Sequence, residues 1–184
     1  MTLPSTRSGP ASPSAPESRP RHITQGEYAV GDGAHGSITT ILGSCVATCL
    51  YDPGSGHGGM NHFLLPEGTG SGAPAASFGI NAMELLINAL IKAGAQRSRL
   101  EAKVFGGARM IAGLSDVGAR NAEFVLDFLR REGIACTGQS LGGTQARRVQ
   151  FWPAEGRARQ KLLGEATVIE TVPAAKPGNE VELF

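Results

Sequence analysis

Between Thr39 and Pro66 the chain passes through short, largely apolar runs that are each cut off by a turn. Residues 37–42 end at Gly43-Ser44, residues 46–51 at Asp52-Pro53-Gly54, and residues 60–65 at Pro66. Short runs joined by Gly/Pro turns are the pattern of strands. The region is expected to fold as strands lying next to one another. Two of the three cysteines, Cys45 and Cys49, and two of the four histidines, His57 and His62, fall inside it.

Two other stretches carry a helical period. Over 79–93, Ile80, Met83, Leu86, Ile87, Leu90 and Ile91 share one face, and Gly94 supplies the stop. Over 121–132, Phe124, Val125, Phe128 and Leu129 repeat the pattern, with Asn121 as N-cap, Arg130-Arg131 in the last turn and Gly133 beyond. Each helix leads through an extended run to a glycine pair, Gly106-Gly107 and Gly142-Gly143. Further strands are expected at 26–30, 147–153 and 165–172, and a small-residue loop at 67–77. Strands at both ends with two helices between do not make a βαβ alternation. The expected class is α+β, a sandwich of mixed or antiparallel β-sheet with flanking helices.

Composition sets the outer limits. Residues 1–21 hold five prolines and five serines and little to bury, so a disordered tail is expected ahead of a single domain at 22–184. The spaced prolines also oppose the amphipathic helix of a transit peptide. A net charge of +1 offers no electrostatic case for nucleic acid, and no apolar run reaches the ~18 residues of a membrane span. Three cysteines without framework spacing fit a reducing cytoplasm. Gly31-x-Gly33-x-x-Gly36 matches the dinucleotide fingerprint in letters. The β-branched SITTIL comes next, where the fingerprint needs a helix, so it reads as a turn between strands.

Cys45 follows a Gly-Ser turn, and His62 stands seventeen residues later on a separate run. A thiol on a glycine turn with an imidazole from a neighbouring strand is the minimum of a cysteine nucleophile. Thr39 or Thr40 is placed to orient the imidazole; Asp52, in its Asp-Pro-Gly context, reads as a turn residue. The competing reading is a zinc module from Cys45, Cys49, His57 and His62. Its spacing is poor, and no helix is expected under the histidines. Otherwise Cys49 and Cys136 read as core, and Arg109, Arg120 and Arg147 as solvated surface.

Taken together, TTILGSC (39–45), VATCLYDP, GGMNHFLLP, AKVFGGARM (102–110), GARN (118–121) and the glycine pair ahead of RRVQF resemble the chemoreceptor glutamine deamidases of the CheD type, over roughly residues 24–170. The resemblance implies a cytoplasmic enzyme that converts glutamines on the helices of methyl-accepting chemotaxis receptors to glutamates, without metal or organic cofactor. It implies a fold similar to toxin-type cysteine deamidases and, for some members, a CheC-type phosphatase partner. A non-catalytic adaptor for that phosphatase is the rival reading. The family's cysteine and histidine map onto Cys45 and His62, and its threonine onto Thr39 by the T-x5-C offset. Gly43, Ser44 and Asn61 are the expected substrate-binding positions, in a cleft expected to be shallow and open. Ser140-Leu141 depart from the acidic residue and threonine usual before the second glycine pair.

Overall fold

The run VATCLYD after Cys45 is apolar on both faces, and it becomes the centre of the larger sheet. The computed structural model describes residues 19–31, 36–66, 73–110 and 116–164. Its strands are β1 (Arg21–His22), β2 (Tyr28–Val30), β3 (Ile38–Leu42), β4 (Val46–Asp52), β5 (His57–Asn61), β6 (Glu101–Gly106), β7 (Ala135–Leu141), β8 (Arg147–Trp152) and β9 (Arg157–Leu162). The helices are α1 (Ala73–Ala93) and α2 (Val117–Arg131). One sheet runs β2-β5-β4-β6-β7 and the other β1-β3-β8-β9. Both mix parallel and antiparallel pairs: β6–β7 and β1–β3 are parallel, the remainder antiparallel. The α+β sandwich expected from the sequence is the architecture observed.

Strand alternation divides the core in two. From β4, Val46 and Leu50 pack with Met83, Leu86, Ile87 and Leu90 of α1 and Val125 and Leu129 of α2. Ala47 and Cys49 face the other way, against Ile38, Leu42, Val149 and Phe151 of the second sheet. The order of layers is thus sheet, sheet, helices, with both helices on the same side.

Several local expectations shift. The three runs around the site are not all neighbours: β3 leaves the sheet of β4 and β5 and pairs instead with β8, Thr40 opposite Val149. Gly58 and Gly59 lie inside β5 rather than ahead of it. A Cβ on Gly58 would stand 2.6 Å from the Pro153 carbonyl oxygen, and one on Gly59 2.7 Å from that of Ala29. Helix α1 begins at Ala73, inside the segment expected to be loop, with Pro74 in the first turn, where its missing N–H is tolerated. Strand β9 lies where the sequence announces no strand. Cys136 is exposed rather than core. Arg147, expected on the surface, is 3% exposed and donates to the Ser140 and Gly142 carbonyls, fixing the second glycine turn. The expected tail (its residues 1–18) and the strand at 165–172 lie outside the described residues, as do 32–35 of the fingerprint-like turn. Strand β3, not a helix, comes after that turn.

Candidate active site

Gly43, Ser44 and Cys45 carry the chain from one sheet to the other, and all three of their carbonyl oxygens are held. Ala108 N–H donates to Gly43 (2.9 Å), Asn121 Nδ2 to Ser44 (2.9 Å) and Gly107 N–H to Cys45 (2.8 Å). The glycine pair is required for this. Gly106 has φ 116°, and a Cβ there would lie 2.1 Å from the Cys45 carbonyl oxygen.

Past Cys45, Val46 and Phe63 exchange both backbone hydrogen bonds, at 3.0 and 2.9 Å. In that antiparallel register Cys45 and His62 leave their strands on the same face as diagonal neighbours. Asn121 secures this pairing from outside, since its Oδ1 also accepts from Leu65 N–H at 2.9 Å. Its sequence position suggests a helix cap. The cap is instead Asp116, which accepts from Ala119 N–H, and Asn121 is a fully buried strut between the two segments of the site. A buried polar residue on the apolar side of α2 was the available signal.

His62 is 6% exposed, and its Nδ1 lies 2.7 Å from the Thr40 hydroxyl. That hydroxyl also contacts the Ile23 carbonyl at 2.8 Å. A carbonyl only accepts, so the single hydroxyl proton goes to Ile23 and Thr40 must accept from His62 Nδ1–H. The tautomer is thereby set: Nδ1 carries the proton and Nε2 the lone pair. Nε2 is buried and makes no hydrogen bond.

Thr39, the threonine selected by the T-x5-C offset, faces away. Its hydroxyl donates to the Val149 carbonyl at 2.9 Å. Successive strand residues point to opposite faces, so only one threonine of the pair reaches His62, and it is Thr40. The same alternation turns Asn61 towards α1, away from the face of His62. It is 2% exposed, accepts from Thr48 N–H and donates to the Ala82 carbonyl of α1.

The site is covered rather than open. Cys45 is 1% exposed, and its thiol donates to Gln25 Oε1 at 3.6 Å. The covering segment follows β1. Ile23 is buried, Gly26 N–H donates to the His62 carbonyl (2.8 Å), and His62 N–H to that of Glu27 (3.0 Å). A shallow surface cavity of about 570 Å³ between α2 and the glycine turns is bordered by Gly107, Arg109, Glu123 and Gly142. Neither Cys45 nor His62 borders it.

Burial, with His22 acting in the same sense and Glu27 against it, pushes the His62 imidazole down to about 4. It is therefore neutral near pH 7, in the form that can take a proton. Burial pushes the Cys49 thiol upward, leaving it inert. Among the described residues Cys45, Cys49, His57 and His62 do not converge as metal ligands.

The imidazole also makes stability depend on pH. An unfolded histidine titrates near 6.5 and folded His62 near 4, so between those values the unfolded chain holds the extra proton. The contribution is complete above pH 6.5 and is lost as pH falls towards 4, about 3 kcal/mol in all. Urea midpoints measured from pH 7 to 4 should fall more steeply for the wild type than for His62→Gln. Parallel curves would assign the proton to another group.

Comparison with known proteins agrees with the motifs. Residues 64–162, just over half of the chain, match the family described as CheD chemotactic sensory transduction. That span begins two residues after His62, but full-length relatives extend over the site. A protein of Agrobacterium fabrum is 54% identical over 89% of this chain and 95% of its own. One of Caulobacter vibrioides is 57% identical over 89% and 92%. Both are named "Probable chemoreceptor glutamine deamidase CheD". Among solved structures, Bacillus licheniformis hypothetical protein YfiH aligns with 61% of this chain and 49% of its own, at 15% identity and TM-score 0.42. A likeness that distant has no bearing on the toxin-type fold the resemblance implied. The motifs in order and more than half the residues shared with such relatives lead to one conclusion: the chain belongs to the CheD family.

Proposed function

We propose that this protein hydrolyses the side-chain carboxamide of particular glutamines on methyl-accepting chemotaxis receptors, with Cys45 as nucleophile, His62 as base and Thr40 orienting His62. The relatives' names supply the reaction and the substrate class. The observation that carries the residue roles is the Thr40–His62 contact, which leaves Nε2 as a neutral proton acceptor on the face shared with Cys45.

His62 Nε2 takes the thiol proton as sulfur attacks the carboxamide carbon. The tetrahedral oxyanion needs donors, and the peptide geometry offers them. In a planar trans peptide the C=O and the following N–H point in opposite directions. The Gly43 and Ser44 carbonyls are held by Ala108 and Asn121, so the N–H groups of Ser44 and Cys45 are aimed the other way. Each such donor is worth roughly 3 kcal/mol to a transition state of this kind. His62 then gives its proton to the departing ammonia, leaving a thioester. Water deprotonated by the same nitrogen cleaves it, releasing glutamate and the thiol. A deamidase of receptor cytoplasmic helices works in the cytoplasm. No helix of the described residues is long and apolar enough to cross a membrane.

The test is mass spectrometry of receptor cytoplasmic fragments incubated with wild type, Cys45→Ala and His62→Ala. Conversion of glutamine to glutamate by the wild type alone is expected, and full conversion by Cys45→Ala would end the proposal. The covered thiol favours one rival, an adaptor that binds a CheC-type phosphatase without catalysis. Tight binding of that partner by a wild type with no turnover would decide for it.

A further inference from the structure

The group lying on the Cys45 sulfur is itself a glutamine carboxamide. The geometry points to Gln25 as an internal pseudosubstrate, its carboxamide holding the subsite that a target glutamine must take. This rests on the deamidase reading of the same site. Gln25 Oε1 accepts from Cys45 Sγ at 3.6 Å, while His62 Nε2, the nitrogen that must receive the thiol proton, is buried and accepts nothing. In this arrangement the thiol has a carboxamide oxygen within reach as an acceptor. Sulfur contacts oxygen as a donor rather than carbon as a nucleophile, so Gln25 holds the place of a substrate without being turned over.

The backbone around Gln25 is not a flap. Arg21 N–H donates to the Ser37 carbonyl (2.8 Å) and Ile23 N–H to that of Thr39 (3.0 Å). The Ile23 carbonyl accepts from Thr40. The turn at its tip closes on itself, with Thr24 N–H donating to Glu27 Oε2 at 2.7 Å and Glu27 N–H to the Thr24 carbonyl at 3.0 Å. Yet Gln25 is exposed while the thiol beneath it is 1% exposed. The turn therefore brings the Gln25 side chain to the nucleophile from the solvent side, and moving that side chain breaks none of these backbone hydrogen bonds. Rotamer changes of exposed side chains are fast, so an arriving glutamine competes with Gln25 instead of waiting for a loop to open.

The experiment uses the full chain as wild type, Gln25→Ala and Gln25→Asn, the last one methylene too short to reach. Alkylation of Cys45 by iodoacetamide, itself a small carboxamide, is followed by peptide mass spectrometry with exposed Cys136 as internal reference. Losing one weak S–H···O contact should speed Cys45 alkylation roughly two- to fivefold in both variants, with Cys136 unchanged. On receptor fragments both should show a lower KM at unchanged kcat, which a merely structural residue would not produce. Gln25 is exposed, so circular dichroism should show both variants folded as the wild type. Unchanged alkylation alongside normal receptor deamidation overturns the assignment and leaves the deamidase reading intact. Faster alkylation with no deamidation by any of the three proteins sinks the deamidase reading and the pseudosubstrate with it. Cys45-dependent conversion of Gln25 to glutamate in the wild type would make it a substrate and also overturn the assignment.

Discussion

Thr40→Val should lower the rate of receptor deamidation by roughly 10²–10³-fold, within the range expected for a disabled general base. Valine keeps the shape of threonine and removes only the oxygen that accepts from His62 Nδ1–H at 2.7 Å. Without that acceptor the buried imidazole no longer prefers the Nδ1–H tautomer, and with the proton on Nε2 it cannot accept one from the thiol. The change also orphans the Ile23 carbonyl, at a cost of roughly 1–3 kcal/mol in stability. Thr40→Ser restores the oxygen and should recover most of the rate. Thr39→Val is the control the family offset would make severe and the geometry makes mild. Its hydroxyl serves the Val149 carbonyl on the other face, and the rate should stay within about twofold. Single-turnover kinetics of the three variants on one receptor fragment read all of this. A large defect in Thr39→Val beside a normal Thr40→Val would reverse the assignment.

Asp52→Ala should cost about 3–5 kcal/mol and lower Tm by roughly 10 °C, the largest stability effect expected of one polar side chain here. The carboxylate is fully buried and accepts five hydrogen bonds: from Gly54 N–H (2.8 Å), Ser55 Oγ (2.9 Å), Gln96 N–H (2.9 Å), and Arg99 Nε (2.8 Å) and Nη2 (2.7 Å). Arg99, with these N–H donors, holds the carboxyl far below the usual carboxylate range against the opposing effect of burial. Alanine would leave two backbone N–H groups, a hydroxyl and a guanidinium without their partner. Asp52 ties the β4–β5 turn to the link between α1 and β6, so the loss would loosen both. Urea denaturation gives the number, and a loss under about 1 kcal/mol would show that water replaces the carboxylate at little cost.

The two helices and most strands were legible because each depends on local periodicity. In α1, Met83, Leu86, Ile87 and Leu90 are fully buried as the 3.6-residue pattern requires, while Ile80 and Ile91 at its margins are 46% and 41% exposed. What stayed hidden depends on partners distant in sequence. The placement of β3 beside β8 joins residues more than a hundred positions apart. Which of Thr39 and Thr40 faces inward is decided by that sheet, and a fixed offset to Cys45 carries no information about faces. Among the described residues strand β9, RARQKL, has β8 as its one neighbour, and it shows almost no apolar alternation to betray it. Asn121 looked like a cap because asparagine favours helix starts, whereas its task lies with Ser44 and Leu65, 77 and 56 residues away.

The residues of the proposed site come from both halves of the sandwich: Thr40 stands on β3 of one sheet, while Cys45 and His62 adjoin β4 and β5 of the other. Their alignment is thus a measure of how the halves sit against each other, and a slight slip between them would spoil turnover while every strand kept its own pairing. Deamidation through the proposed site would act as a strain gauge. On warming, it should fade while the far-ultraviolet circular dichroism still reads native.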